Sequence, residues 1–329
     1  MPPGRRAVPI LLVPLALSGC AKVPLSRTVE YVEEVRVPPQ RGPVRLWLPV
    51  PPSDDHQKTD IVRVEASHPH RITREPHFGN SILYAETDGR KPLSLRVRYR
   101  ITRRVQEGLA SREAERLSEE EKKLHTSPRG LVVVNDRIRK LADQWAGDSQ
   151  ETAQVARRFY DQILGFMAYD KSSPGWGKGD ALRACVVGLG NCTDFHSLFQ
   201  SVAIAKGIPA RFLMGIPLNG EPAQSVGRTY HCWAEFHLKG RGWVPVDISE
   251  AWKVRAGKKN MPPDWVERYF GTLDQDRILL SSGRELVLEP PQEGPPLNYF
   301  AYPYLEVRGK PGENFQFERT VRDLDGREG

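Results

Sequence analysis

The stretch from Tyr230 to Ile248 constrains this 329-residue chain most tightly, because it reads as two strands whose apolar faces must be buried together. In Tyr230-His231-Cys232-Trp233-Ala234-Glu235-Phe236-His237-Leu238, the residues Cys232, Ala234, Phe236 and Leu238 share one face, and His231, Trp233 and Glu235 share the other. Beyond Lys239-Gly240-Arg241-Gly242, Val244, Val246 and Ile248 oppose Trp243, Pro245 and Asp247. The apolar faces coincide only if the loop holds an odd number of residues, three or five, since a slip of one residue reverses every side chain. That register puts Asp247 on the face of His231, opposite it or one diagonal away. A two-residue loop would send the carboxylate to the other side and put Val244 and Val246 out of phase with Phe236. Core burial and a His–Asp pair ask for the same register.

Upstream, Gly190-Asn191-Cys192-Thr193-Asp194-Phe195-His196 places a cysteine at the first turn of a helix. Phe195, Leu198, Phe199 and Val202 recur at helical spacing, and Gly207-Ile208-Pro209 ends the run, which predicts a helix over about residues 192–206. Asn191 is placed as its N-cap. The free N–H groups and positive dipole end of that turn favour a thiolate on Cys192, the nucleophilic form of cysteine. A lone cysteine beside an apolar stripe is more often a buried structural thiol. His231 and Asp247 move the balance, because a cysteine nucleophile, a histidine base and an orienting aspartate form the triad used for acyl transfer at amides and esters.

Over about residues 180–251 the chain resembles the transglutaminase-like superfamily of papain-type thiol enzymes. The resemblance is carried by Gly-Asn-Cys-Thr-Asp-Phe-His-Ser-Leu-Phe from Gly190, by Gly207-Ile208-Pro209-Ala210-Arg211, by His231 with Trp233 and Glu235, and by Gly242-Trp243-Val244-Pro245-Val246-Asp247. It implies an α+β catalytic core with Cys192 as nucleophile, His231 as general base and Asp247 as its orienting partner. It implies no substrate, because the superfamily contains cross-linking acyltransferases, peptidases and deglycosylating amidases. Hydrolysis of a peptide or protein amide through a Cys192 thioester is the preferred expectation. Cross-linking transfer to an amine, or a catalytically silent scaffold that binds peptide or glycan, are the alternatives.

Other residues compete for the same roles. His196 lies four positions after Cys192 on the same helix face, yet has no carboxylate close in sequence to orient it, so it is read as a polar partner of a neighbouring loop. A zinc site drawn from Cys185, Cys192, His196, His231, Cys232 and His237 lacks the paired short spacing of structural zinc, and Cys232 points away from His231 along the strand. Asp194 reads as compensating the helix dipole and Glu235 as a solvated or arginine-paired carboxylate. The oxyanion of acyl transfer needs donors. The Cys192 N–H is the natural first; Asn191 in the turn from Gly188, or the indole of Trp176, could supply a second, and Trp176 and Trp233 could equally be walls of the cleft. No phosphate loop, calcium loop or repeat is present, and no metal or organic cofactor is implied.

At the N-terminus Arg5-Arg6 precedes an 11-residue apolar run, Ala7 to Leu17, broken by Pro9 and Pro14 and too short to span a membrane. It ends in Leu17-Ser18-Gly19-Cys20, which resembles a bacterial lipobox and implies cleavage of residues 1–19 and lipidation of Cys20. The expected location is the cell envelope, lipid-anchored at the periplasmic face of the outer membrane, since Ala21 supplies no acidic retention signal. Removing Arg5 and Arg6 with that leader lowers the net charge from +7 to about +5, a mild excess with no dense basic run that would indicate nucleic acid. Of the four cysteines, Cys185 and Cys232 could pair and leave Cys192 free, or all three beyond Cys20 could stay thiols. Oligomeric state is not encoded in any visible pattern.

Changes of period divide the rest. Residues 20–27 form a lipidated linker and residues 28–107 a β-sandwich-like domain, clearest where Leu93, Leu95, Val97, Tyr99 and Ile101 alternate with polar residues. A charged linker over 108–130 leads into the catalytic domain, 131–255, whose first helices lie over Val132 to Ala146 and Glu151 to Met167; the second buries Val155, Phe159, Ile163 and Phe166. A C-terminal β region, 256–329, carries short strands at Arg277–Leu280, Leu286–Leu288, Tyr304–Val307 and Phe315–Val321. The aromatic stretch Pro295 to Tyr304 either lines the cleft or packs on the core.

Overall fold

Strict alternation buries every second residue of the strand Leu93–Arg104, so Leu93, Leu95, Val97, Tyr99 and Ile101 all face inward. The neighbouring strand Ser26–Val37 alternates in phase, and Tyr31 stacks on its cross-strand partner Tyr99 with ring centroids 5.6 Å apart. In the computed structural model, which describes residues 25–109 and 116–326, these strands belong to a five-stranded antiparallel sheet. Its order is Ala223–Ser225, Gln316–Asp323, Ser26–Val37, Leu93–Arg104, Gln57–Ala66. A second five-stranded sheet runs Lys310–Pro311, Tyr304–Val307, Val44–Pro49, Ser81–Thr87, His70–Arg74. Leu46, Leu48, Leu83 and Leu305 of the second sheet join Val35, Val97 and Val321 of the first in one apolar core. The expected leader and Cys20 lie outside the described residues.

The two sheets draw on both ends of the chain. Whether residues 256–329 stand apart or wrap back was open in the sequence; they wrap back and are shared. Arg277–Ser282 completes the catalytic sheet, while Tyr304–Val307 and Gln316–Asp323 complete the sandwich. Leu286 to Leu288, expected as a strand, makes only a single bridge from Leu286 to Leu297, because its neighbours turn away to cover Trp47 and Ile82. Burial also fixes the ends electrostatically. Arg27, 1% exposed, donates to Asp323 at 2.8 Å and Asp276 at 3.0 Å, so the end of the expected linker, Ser26 and Arg27, is already part of the first sandwich strand.

The catalytic sheet has four antiparallel strands in the order Gly242–Val246, His231–Leu238, Ala210–Pro217, Arg277–Ser282. Its hairpin takes the three-residue option: Leu238 pairs with Gly242, Phe236 with Val244 and Ala234 with Val246, so the apolar faces superimpose. Against them pack the helices Asp136–Ala146, Thr152–Phe166, Cys192–Ala205 and Ile248–Arg255. Thr152–Phe166 buries Val155, Phe159 and Ile163 as expected but leaves Phe166 46% exposed. The chain leaves the helix there, and Met167 takes the core position that Phe166 was expected to fill. Cys192–Ala205 is buried on every side from Cys192 to Ile204, which a helix tolerates only at the centre of a domain.

Candidate active site

The tip of that central helix is built around two side chains. Asn191 Oδ1 accepts the N–H of Thr193 at 2.9 Å, and its backbone carbonyl accepts those of Asp194 at 3.0 Å and Phe195 at 3.1 Å. Asp194 closes the capping box by accepting the Asn191 N–H at 3.0 Å, then reaches outward to the N–H groups of Gly177 at 2.7 Å and Gly179 at 3.0 Å. Arg284 holds the same loop from the other side, donating to the Gly179 carbonyl at 3.2 Å and to Ser197 Oγ at 2.6 Å. The N–H of Cys192 is left unclaimed among the described residues.

The helix tip abuts the start of the strand His231–Leu238. His231 Nε2 lies 2.7 Å from Asp247 Oδ2, which leaves Nδ1 for the Cys192 thiol, a neighbour that helps to raise the imidazole. Asp247 is itself the N-cap of Ile248–Arg255: Oδ1 accepts from the Glu250 N–H at 3.1 Å and from Ser249 Oγ at 3.2 Å. Its Oδ2 also accepts from Arg277 Nη1 at 2.8 Å, and Arg277 Nη2 binds Asp274 at 2.9 Å. A carboxylate locked on both oxygens cannot rotate, so the imidazole it holds has one orientation.

The charges follow from these contacts. Burial opposes ionisation of Asp247, but His231 and Arg277 outweigh it and hold the carboxyl well below its usual range. Burial would also lower His231, yet Asp247, Cys192 and Glu250 raise it to about 9. The Cys192 thiol is pulled well below its ordinary value, first by a hydrogen bond from Cys232 and then, against burial, by His231. Thiolate and imidazolium are thus the paired forms near neutral pH. All three groups are buried, with Cys192 1% exposed, His231 4% and Asp247 0%, so substrate enters only when something over the sulfur moves.

The structure brings Cys192, His231 and Asp247 together, with His196 close by, its Nε2 3.6 Å from Asp247 Oδ1. His196 accepts the Ile248 N–H on Nε2 at 3.1 Å and lies 3.6 Å from Cys232 Sγ on Nδ1; burial lowers it to about 4, leaving a neutral partner of the loop after the second strand. Glu235 is arginine-paired, accepting from Arg211 Nε at 2.6 Å and from Gln106 at 2.7 Å. Cys185, Cys192 and Cys232 are all free thiols. Two cleft expectations need correcting. Trp233 is fully buried, its ring under the Arg277 guanidinium at 5.1 Å, so it supports the site from the core and lines no open wall. Asn191 spends its amide on the cap and on Tyr230, to whose hydroxyl Nδ2 donates at 2.6 Å. Trp176 sits at the surface, 37% exposed, beside Gly177.

Sequence reading missed the roles of Cys232, Arg277 and Tyr230 at the sulfur. Cys232 faces opposite to His231 along the strand, yet both reach the sulfur because the helix tip meets the strand at its end. Tyr230, Tyr299 and Tyr302 pack over the cluster of Cys192, Phe212, Met214, Cys232 and Ala301. The stretch Pro295 to Tyr304 thus does both things expected of it: Tyr299 and Tyr302 cover the sulfur, while Phe300 packs in the core beside Trp47.

A cysteine on a helix tip, ion-paired to a carboxylate-held histidine on an antiparallel sheet, defines a papain-type thiol-enzyme site. Residues 139–248 match the family model described as the transglutaminase-like superfamily. An uncharacterized protein of Haemophilus influenzae is 27% identical over 311 residues, covering 84% of each chain. A solved structure described as "a Putative Cysteine Protease from Cytophaga hutchinsonii" shares the fold at a TM-score of 0.57 and 14% identity, covering 92% of this chain and 93% of that one. The periplasmic domain of TgpA from Pseudomonas aeruginosa aligns at a TM-score of 0.40 and 18% identity over 70% of this chain and 73% of its own.

Proposed function

We propose that the protein is an exported, lipid-anchored thiol amidase that hydrolyses peptide amides in the cell envelope through a thioester on Cys192. The observation that carries this reading is the arrangement of the three groups: Cys192 opens its buried helix against His231, whose Nε2 is held 2.7 Å from Asp247 Oδ2, with the thiol held low and the imidazole raised to about 9. The thiolate attacks the amide carbonyl, the carbon–sulfur bond forms and the carbonyl pair moves to oxygen. As the carbon–nitrogen bond breaks, His231 gives its proton to the departing amine; it then takes one from the water that adds to the thioester carbon, and cleavage of the carbon–sulfur bond releases the acid and restores the thiolate–imidazolium pair. Asp247 keeps the imidazole oriented and stabilises its positive form throughout. The membrane anchor rests on Leu17-Ser18-Gly19-Cys20, and water is the expected acceptor because it is abundant outside the cell while a competing amine is not guaranteed.

The purified mature protein is to be incubated with envelope peptides, with and without a primary amine, and the products weighed. Fragments gaining one water are the expected result. Amine adducts would replace hydrolysis by cross-linking transfer. Unchanged peptides, together with a Cys192 that alkylates no faster than Cys185, would make the protein a binding scaffold.

A further inference from the structure

The residue before the nucleophile and the residue before the base are joined to each other. Asn191 Nδ2 donates to the hydroxyl of Tyr230 at 2.6 Å, and this bond runs alongside the Cys192–His231 pair. Both groups close on Gly177, where an added Cβ would sit 3.3 Å from Asn191 Nδ2 and 3.3 Å from the Tyr230 hydroxyl; Gly177 has φ +77°, which favours glycine in any case. Gly177 is thus packed close against the helix tip and Tyr230, one residue from the unclaimed N–H of Cys192 along Asn191.

Because Asn191 supplies the hydrogen of their bond, the Tyr230 hydroxyl keeps its own proton to give away. At rest the ring of Tyr299 stacks on that of Tyr230 at 5.8 Å. Burial and the neighbouring Cys192 raise the phenol of Tyr230, so it donates a hydrogen bond without acting as an acid. Tyr299 belongs to the cap that has to shift before anything reaches a sulfur only 1% exposed, and its departure uncovers Tyr230. Trp176, the side-chain donor the sequence suggests, is 37% exposed on the outer side of the same glycine.

We propose that Tyr230 is the side-chain donor of the oxyanion hole, acting with the N–H of Cys192, and that Asn191 fixes its hydroxyl in place. This rests on the acyl-transfer reading above. When the thiolate adds to the carbonyl carbon, the developing oxyanion accepts from both donors; no proton leaves Tyr230, and the electron pair returns to carbon as the leaving group departs.

Two reactions of the same sulfur separate this role from a structural one. Acylation by p-nitrophenyl acetate passes through an oxyanion, and alkylation by iodoacetamide does not. Tyr230→Phe is expected to slow acylation about 100-fold while alkylation changes less than about twofold. Trp176→Phe is expected to leave both rates near the parent values. The proposal is overturned if Tyr230→Phe slows both reactions equally, which would make the tyrosine a positioning residue for the thiolate, or if it slows neither. It is equally overturned if Trp176→Phe is the variant with the selective loss. A parent protein that alkylates rapidly but never acylates would sink the acyl-transfer reading itself, and a parent that acylates normally with an unaffected Tyr230→Phe would sink only the tyrosine.

Discussion

At the scale of the residue, the site turns on one proton shared between sulfur and imidazole. His231 is raised to about 9, so the ion pair persists through neutral pH and the imidazolium is lost as pH climbs through that value. Amide cleavage, which needs that proton for the leaving amine, should therefore fall above about pH 9, whereas iodoacetamide alkylation, which needs only the thiolate, should hold its plateau. Amide cleavage still rising at that end of the profile would contradict the assignment of His231. The second lever is Cys232, whose own thiol is pushed well up by burial and stays protonated to donate to Cys192. Cys232→Ala removes that donor, so it should raise the alkylation pKa of Cys192. An unshifted profile would mean that His231 alone sets the thiolate.

At the scale of the element, Asp194 joins the helix tip to the loop at Gly177 and Gly179 through three backbone N–H groups. Gly190 has to be glycine for that arrangement, since a Cβ there would stand 2.3 Å from Asp194 Oδ2. Asp194→Ala removes a cap and leaves buried donors unpaired, and it should cost about 3 kcal/mol of stability. The urea midpoint should drop with the slope unchanged. A loss below about 1 kcal/mol would show that water satisfies those groups and that the loop is not held by the helix. The hairpin shows the same economy of parts: its three-residue turn sets the parity that superimposes Phe236 on Val244, and the next residues along deliver Asp247 to His231.

At the scale of the molecule, the C-terminal strands are part of the N-terminal fold. A chain ending at residue 303 loses Gln316–Asp323 from the first sandwich sheet and both Tyr304–Val307 and Lys310–Pro311 from the second. It also strips Asp323 from Arg27 and Arg319 from Glu33, leaving a cation and a carboxylate buried without these partners. Such a chain should show no cooperative thermal transition. A truncated protein that still melts sharply, with slow amide exchange in Ser26–Val37, would refute the claim that the sandwich needs its C-terminal strands. Arg319 also donates to the carbonyl of Ala301 in the loop that caps Cys192, so the sandwich reaches the site it does not itself form.

What the residues determined by themselves is local and periodic: the buried helix behind Cys192, the odd loop of the hairpin, and the common face of His231 and Asp247. Each follows from apolar spacing and from the two-residue repeat of a strand, which neighbouring residues carry without help from the rest of the chain. Only the tertiary structure decided that Trp233 lies under Arg277, that Met167 replaces Phe166 in the core, that Arg277 shares Asp247, and that Tyr230, Tyr299 and Cys232 close over the sulfur. Those contacts join segments tens of residues apart, and no periodicity records which buried face meets which; packing between distant elements alone selects them.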